Sequence, residues 1–379
     1  MQPLKLSLSS PARGLMLALA CVFSATGALQ SSNAADDTKQ QLKASVDRGI
    51  QYLKTRGQAE DGSFSRESGS AVTSLCVAAI LKHRPEMKKD PVIVNALKFI
   101  ESNIRSNGGI YAEGSKHQNY ETCIATAALL EANENGKYDS ILARAHAFIK
   151  ELQWDEGEGI VKSDPAYGGA GYGSHSRPDL SNTSFMIEAL RNLGDDADDE
   201  AIQKAMMFVA RSQNLEGHGN DTKHASSVGD GGFYYTPAAG GSSQAGNTDA
   251  GGLRSYASMT YAGLKSMIFA GLTPDDPRVE AALTFIRKNY DLETNPGMGT
   301  AGLFYYYHTF AKALDVADIE VLDDAEGTPH PWRQELVKTL ADAQSEDGSW
   351  VNKANDRWME GNNNLVTAYA LLALYHSQP

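Results

Sequence analysis

The stretch Gln344-Ser-Glu-Asp-Gly-Ser-Trp350 has a near copy close to the other end of the chain, Gln58-Ala-Glu-Asp-Gly-Ser-Phe64. A chain that writes one turn twice, so far apart, is built of repeats. Each copy opens with an amphipathic helix whose apolar residues recur at three- and four-residue steps. Anchored on Tyr52, Phe99, Phe148, Phe208, Phe285 and Leu340, the copies are spaced 47, 49, 60, 77 and 55 residues apart. A Gly-rich turn follows each, then a segment that is small and apolar nearly all round: 71–81, 122–130, 183–190, 256–267, 308–314 and 365–374. A helix apolar on every side is a buried one. Outer amphipathic helices paired with inner buried ones, six times over, predict an all-α fold, an (α/α)6 toroid of about twelve helices.

The repeated turn then has a structural purpose. Asp-Gly supplies the left-handed corner that ends the outer helix. Gln344 is expected to cover carbonyls left open at that helix end, with Trp350 packed over the turn. Looser versions are read at Gln153…Gly157 and Gln213…Gly217, and only Gly108-Gly109 marks the second copy.

Residues 1–35 read as a signal peptide. Lys5 and Arg13 precede a short apolar run, and small residues lead to a cleavage point after Ala35. The run is too short to span a bilayer. Ala18-Leu19-Ala20-Cys21 also spells a lipoprotein-type signal with a lipid anchor at Cys21. The expectation is an exported chain, periplasmic or extracellular, whose toroid fills 36–379. Loss of Lys5 and Arg13 leaves 32 basic residues facing 47 acidic ones, a net charge of −15. That argues against nucleic acid and anionic lipid surfaces as partners. Cys76 and Cys123 alone remain, too few for a disulfide scaffold or a zinc–thiolate site; a single disulfide and two buried thiols both stay open.

Turns of the type Gln-x-x-Asp-Gly-Ser-Trp/Phe between paired helices resemble the QW repeats of squalene–hopene cyclases, and the same toroid is used by protein prenyltransferase β subunits. The resemblance covers roughly 40–379 and implies the fold; it does not carry the function. In those cyclases an Asp in a Pro-Asp-x-Asp-Asp-Thr stretch protonates the substrate, held as an acid by burial, with aromatic walls around the carbocation. The matching stretch is Pro178-Asp179-Leu180-Ser181-Asn182-Thr183. Ser181 stands where the resemblance calls for the proton donor. Asp196-Ala-Asp198-Asp199 spells a similar triplet but precedes an outer helix, so it reads as an acidic cap. The prenyltransferase resemblance implies a zinc site of Asp, Cys and His; Ala257 and Met259 stand at the first two positions and only His308 remains. No metal and no cofactor are expected. The count of 31 aromatics is modest for a carbocation cavity.

The turns entering the inner helices lead to one end of the toroid, the default place for a pocket. Asp179, His308 and Tyr307 are the candidate acid–base residues there. Glu121, Asn182, Arg254, Tyr256 and Asn363 are the candidate ligand-binding residues, with His175 and Arg177 nearby. The Gly-rich insertion 217–252 is expected to cover this mouth as a flexible lid. His218, Asp221 and His224 within it are metal-like only in residue type.

The leading reading is an exported relative of the cyclases and prenyltransferases that lacks both parent chemistries and binds or acts on an unassigned, isoprenoid-like ligand. Two others stay open. A polysaccharide lyase would use Asn182, His308, Tyr307 and Arg254 on a glycan. A non-enzymatic interaction toroid would need none of them, and the Cys-Gly-Glu-Gln stretch of the thioester domains is absent.

Overall fold

Six inner helices that are apolar on every side can be buried only by one another and by an outer layer, and that is the arrangement found. The computed structural model describes residues 36–173 and 176–378. The signal-peptide reading of 1–35, Cys21 and His175 lie outside them. The helices are α1 (36–52), α2 (Ala71–His83), α3 (Pro91–Ser102), α4 (Gln118–Ala132), α5 (Asp139–Glu151) and α6 (Leu180–Asn192). They continue with α7 (Glu200–Arg211), α8 (Ala257–Phe269), α9 (Pro277–Lys288), α10 (Leu303–Val316), α11 (Trp332–Ala343) and α12 (Asn363–His376). Even-numbered helices pack in sequence, α2 on α4 through α10 on α12, and α12 returns to α2. The odd-numbered helices lie outside, α3, α5, α7, α9 and α11 each against the inner helix that precedes it in the chain. The all-α (α/α)6 toroid is the observed fold. Strand is confined, among the described residues, to a two-residue ribbon, Leu322–Asp323 on Pro329–His330.

The repeated Gln does something other than close its own helix. Gln58 Nε2 donates to the Gly62 carbonyl (3.0 Å) and to the Val92 carbonyl in the first turn of α3, the next outer helix (2.8 Å). Gln153 reaches Ala201 in α7 and Gln213 reaches Arg278 in α9 in the same way. Gln344 bonds the Ser45 carbonyl in α1 at 3.0 Å, so the last copy is tied to the first and the ring is closed. The carbonyl of its own helix, Leu340, is taken instead by the Trp350 indole N–H at 2.7 Å.

The glycine that partners each Gln corrects two boundaries. Gln153 bonds Gly168, not Gly157, and Gln213 bonds Gly231, not Gly217. The third and fourth turns thus carry excursions inside them, which is why those copies are long. Gly168 has φ +81°, and a Cβ there would lie 1.9 Å from the Lys204 carbonyl oxygen, so no other residue fits.

A threonine fixes five of the six inner helices to the turn before it. Its Oγ1 accepts the N–H of Phe64 (from Thr73), Ile110 (Thr122), Ala170 (Thr183), Phe233 (Thr260) and Trp350 (Thr367). Thr183, the last residue of the cyclase-like stretch, is therefore a fixture of the repeat. Cys76 and Cys123 are free, buried thiols, and burial pushes both upward in pKa.

Candidate functional site

The threonines set a register for all six inner helices. Two residues before them stand Ala71, Tyr120, Ser181, Ser258 and Leu365, and all five line one cavity of about 350 Å³ at the N-terminal mouth of the toroid. In α10 Tyr307 takes the threonine's place, and Tyr305, two residues before it, lines the same cavity. Like the threonines, Tyr307 is turned to its preceding loop, where its hydroxyl donates to the Leu292 carbonyl at 2.6 Å.

The wall is aromatic. Tyr120, Phe185, Tyr305 and Tyr369 run edge to face, with centroids 5.2 Å (Tyr120–Phe185), 6.4 Å (Phe185–Tyr305) and 5.9 Å (Tyr305–Tyr369) apart. Tyr172, Tyr235, Tyr256 and Trp358 complete it. The modest overall count of aromatics concealed how many converge here. Tyr235 and the rim residue Gln244 come from the Gly-rich insertion, and Arg357 donates to Gln244 at 2.7 Å, joining the insertion to the loop before α12. Trp358 and Met359 in that loop have φ +56° and +65°, two adjacent left-handed residues at the lip of the cavity. Such strain persists only where surrounding contacts hold it.

Six helix N-termini point at this mouth, each worth about half a positive charge. Buried carboxylates meet every second one. Asp179 caps α6, accepting the Asn182 N–H at 2.9 Å and its side-chain amide at 2.8 Å. Glu360 accepts the Phe304 and Tyr305 N–H groups of α10, both at 2.9 Å, and the Asn352 amide at 2.7 Å. Glu121 holds Ser70, the N-cap of α2, through its N–H (2.8 Å) and hydroxyl (3.1 Å), and also takes the Ala112 N–H and the Ser115 hydroxyl. Neutral amides serve α8 (Asn295 to the Ser258 N–H, 3.1 Å) and α12 (Asn362). Three carboxylates thus offset roughly three charges of helix dipole, and the mouth is close to neutral.

Burial pushes the Asp179 carboxyl up to about 6, against the Asn182 and Tyr235 hydrogen bonds that favour its ionised form. Burial also raises Glu360. Ser181 does face the cavity, and its Oγ is 2.9 Å from the Tyr305 hydroxyl.

The candidates from the sequence separate into three groups. Glu121 and Tyr256 line the cavity, and Asp179 with Asn182 stands just behind Tyr235. Arg254 is exposed and bonds the Asn247 carbonyl, and Asn363 bonds the Ser349 hydroxyl in its own turn; neither lines the cavity. Tyr307 faces its loop. His308 is buried deeper in the bore, stacked on Tyr369 at 5.6 Å, with burial and the Lys312 charge holding it well below the usual imidazole range. Of the metal-like residues of the insertion, Asp221 is bound to Arg211 and His224 to the Gly240 carbonyl. Asp199 caps α7 by accepting the Ala201 N–H, the role read for that acidic triplet. Glu360, Tyr172, Tyr235, Tyr305 and Tyr369 were not singled out from sequence. The signal that finds Tyr305 is its place two residues before the threonine position.

Residues 67–237 match the family model of the squalene-hopene cyclase C-terminal domain. Among solved structures, the type II terpene cyclase MstE from Scytonema is 12% identical, over 89% of this chain and 98% of its own, with a TM-score of 0.32. A variant of it in complex with geranylgeranyl dihydroxybenzoate gives 13%, 90%, 98% and 0.34. A protein from Actinoplanes gives 13%, 89%, 99% and 0.34. Scores of this size add nothing to the geometry. No curated protein matches. Residues 67–237 are thus similar to the squalene-hopene cyclase C-terminal domain, and they lie within a closed ring of six helix pairs.

Proposed function

We propose that the toroid binds a neutral, largely apolar, isoprenoid-like molecule at its mouth and performs neither parent reaction. One observation carries this reading: a wall of aromatic rings around a cavity whose donor position is a serine. A hydroxyl is far too weak an acid to protonate an alkene. The buried carboxylates of the wall are engaged by helix N-termini and their neighbours, and Glu67 stands at the solvent rim, so the depth of the cavity offers no free charge to a polar substrate. The lyase reading loses support, because Arg254 and Tyr307 do not meet Asn182 around the cavity. Export of the mature chain from residue 36 belongs to the same proposal, and N-terminal sequencing of the protein from its native cell tests it.

The test is a thermal-shift series with C15 to C30 isoprenoids and uronic oligosaccharides, followed by product analysis after long incubation. A ligand at a hundred times its dissociation constant stabilises by about 2.7 kcal/mol. A shift with isoprenoids and their recovery unchanged is the expected result. A cyclised product, or a shift with the glycans alone, would overturn the proposal.

A further inference from the structure

The hydroxyls of the cavity wall form pairs. Ser181 and Tyr305 meet at 2.9 Å, and the Tyr120 and Tyr369 hydroxyls meet at 3.2 Å. All four residues line the cavity. Two hydroxyls that share one hydrogen bond spend one hydrogen on it and keep the other. Each pair therefore holds one O–H with no acceptor among the described residues. Ser258, also in the wall, adds a third, since its Oγ only accepts, from Asn295 at 3.2 Å. The charged acceptors of the wall are largely taken. Glu121 and Glu360 are engaged by backbone N–H groups and by Ser and Asn side chains, and the Gln244 carbonyl takes Arg357. Glu67, at the solvent rim, accepts the Asn362 amide at 3.4 Å and otherwise faces water.

A wall of aromatic faces with spare O–H donors gains from a ligand that accepts. A negatively charged acceptor would find the positive helix ends of the mouth already offset by the three buried carboxylates. We infer that the ligand is an apolar skeleton bearing an uncharged carbonyl oxygen, a ketone, ester or quinone, held by the Ser181–Tyr305 and Tyr120–Tyr369 hydroxyl pairs. The inference rests on the reading of the mouth as an apolar site and adds the head group to it.

Three probes of one skeleton test it: the isoprenoid ketone geranylacetone, the hydrocarbon that lacks its oxygen, and the ammonium that replaces the oxygen with nitrogen. Binding is followed by the fluorescence of Trp358 and by calorimetry. The ketone is expected to bind about tenfold more tightly than the hydrocarbon, the worth of one satisfied donor. Tyr305→Phe alone leaves the Ser181 hydrogen unclaimed and keeps most of that preference. Ser181→Ala with Tyr305→Phe weakens it, and adding Tyr120→Phe and Tyr369→Phe removes it while hydrocarbon binding stays within about twofold, which shows that the variant is folded and the effect is not structural. Equal affinity for ketone and hydrocarbon overturns the head-group inference and leaves the apolar reading standing. Tightest binding of the ammonium also overturns it. Binding of none of the three sinks both.

Discussion

The Glu188 carboxylate on α6 bonds the Lys265 ammonium on α8 at 2.6 Å and, with its other oxygen, Lys312 on α10. Each of the three stands five residues beyond the threonine position of its helix, so they form one layer across the bore below the aromatic cavity. Lys265 lies 5.5 Å from the Phe185 ring that belongs to the cavity wall. Two ammonium groups share one carboxylate, and burial already lowers Lys312 below its ordinary value. Glu188→Gln removes the one acidic partner that both lysines have among the described residues, and loss of one partner of a buried pair costs about 3–5 kcal/mol. The deficit should shrink as pH rises towards 10, because a buried Lys whose folded pKa is depressed binds fewer protons than in the unfolded chain. Urea denaturation at pH 7 and pH 9.5 measures both effects. Replacing all three residues with methionine is expected to be neutral or stabilising; a loss as large as that of Glu188→Gln would show that the layer is needed for its charge.

Asp179 gives the opposite sign from carboxylates such as Asp61 and Asp90, which their hydrogen-bond partners hold below the ordinary value. Its folded value near 6 lies above the ordinary 3.8, so the folded state holds a proton that the unfolded chain has released. Stability from this group is complete below about pH 4 and is lost as pH rises through 6, with a ceiling of roughly 3 kcal/mol. Asp179→Asn keeps an acceptor for the Asn182 N–H and removes the titration. The difference in unfolding free energy between variant and wild type should grow in the variant's favour from pH 4 to pH 7. A flat difference over that window would mean that the Asp179 carboxyl is not raised.

The fold was legible because periodicity reports burial directly: residues 71–81 and 365–374 are apolar all round, and both are inner helices. The partners of the turns were not legible. Gln344 and Ser45 lie 299 residues apart, and nothing local to the Gln says that its amide crosses to another helix. The same holds for Gln153 and Gly168, where the excursion carries its own glycine, Gly157, at a deceptive distance. For the site, Asp179 and Ser181 were found through the cyclase-like stretch, and Glu121 and Tyr256 through their place at helix starts. His308, Tyr307, Arg254 and Asn363 come from the same ends of the same elements but face the bore, the loops or solvent. A helix start fixes the level of a residue along the bore and leaves its direction to the register, which the threonines set.

Glu360 couples the cavity lip to an inner helix. Glu360→Gln keeps one oxygen for the Phe304 and Tyr305 N–H groups but turns an N–H₂ towards the Asn352 amide, donor against donor. The expected cost is about 1–3 kcal/mol for the orphaned donors. Asn352→Asp in the same chain restores an acceptor opposite the new amide and should recover part of it. No recovery in the double variant would place the loss in the charge at the α10 N-terminus and not in the hydrogen bond.

One side chain that helps close the ring, beside Arg48, whose guanidinium donates to the Ser345 carbonyl at 2.6 Å, can be removed without touching the core. Gln344→Ala strips the donor from both the Gly348 carbonyl (2.8 Å) and the Ser45 carbonyl (3.0 Å), and so cuts the tie between α11 and α1. Gln213→Ala cuts the equivalent tie between α7 and α9 at 2.9 Å, inside the ring. Each loses two hydrogen bonds, so each should cost about 1–3 kcal/mol in global unfolding. They differ in what frays. Val46 and Ile50 are the buried apolar residues of α1, whereas α7 buries Ile202, Met206, Phe208 and Val209 and α9 buries Val279, Leu283, Phe285 and Ile286. Amide exchange in Gln344→Ala should therefore accelerate across α1 well before the rest of the molecule, and in Gln213→Ala only with global unfolding. Equal protection of α1 in the two variants would mean that the Trp350 ring, 2.7 Å from Gly49 at the nearest ideal Cβ, holds the first helix without the Gln.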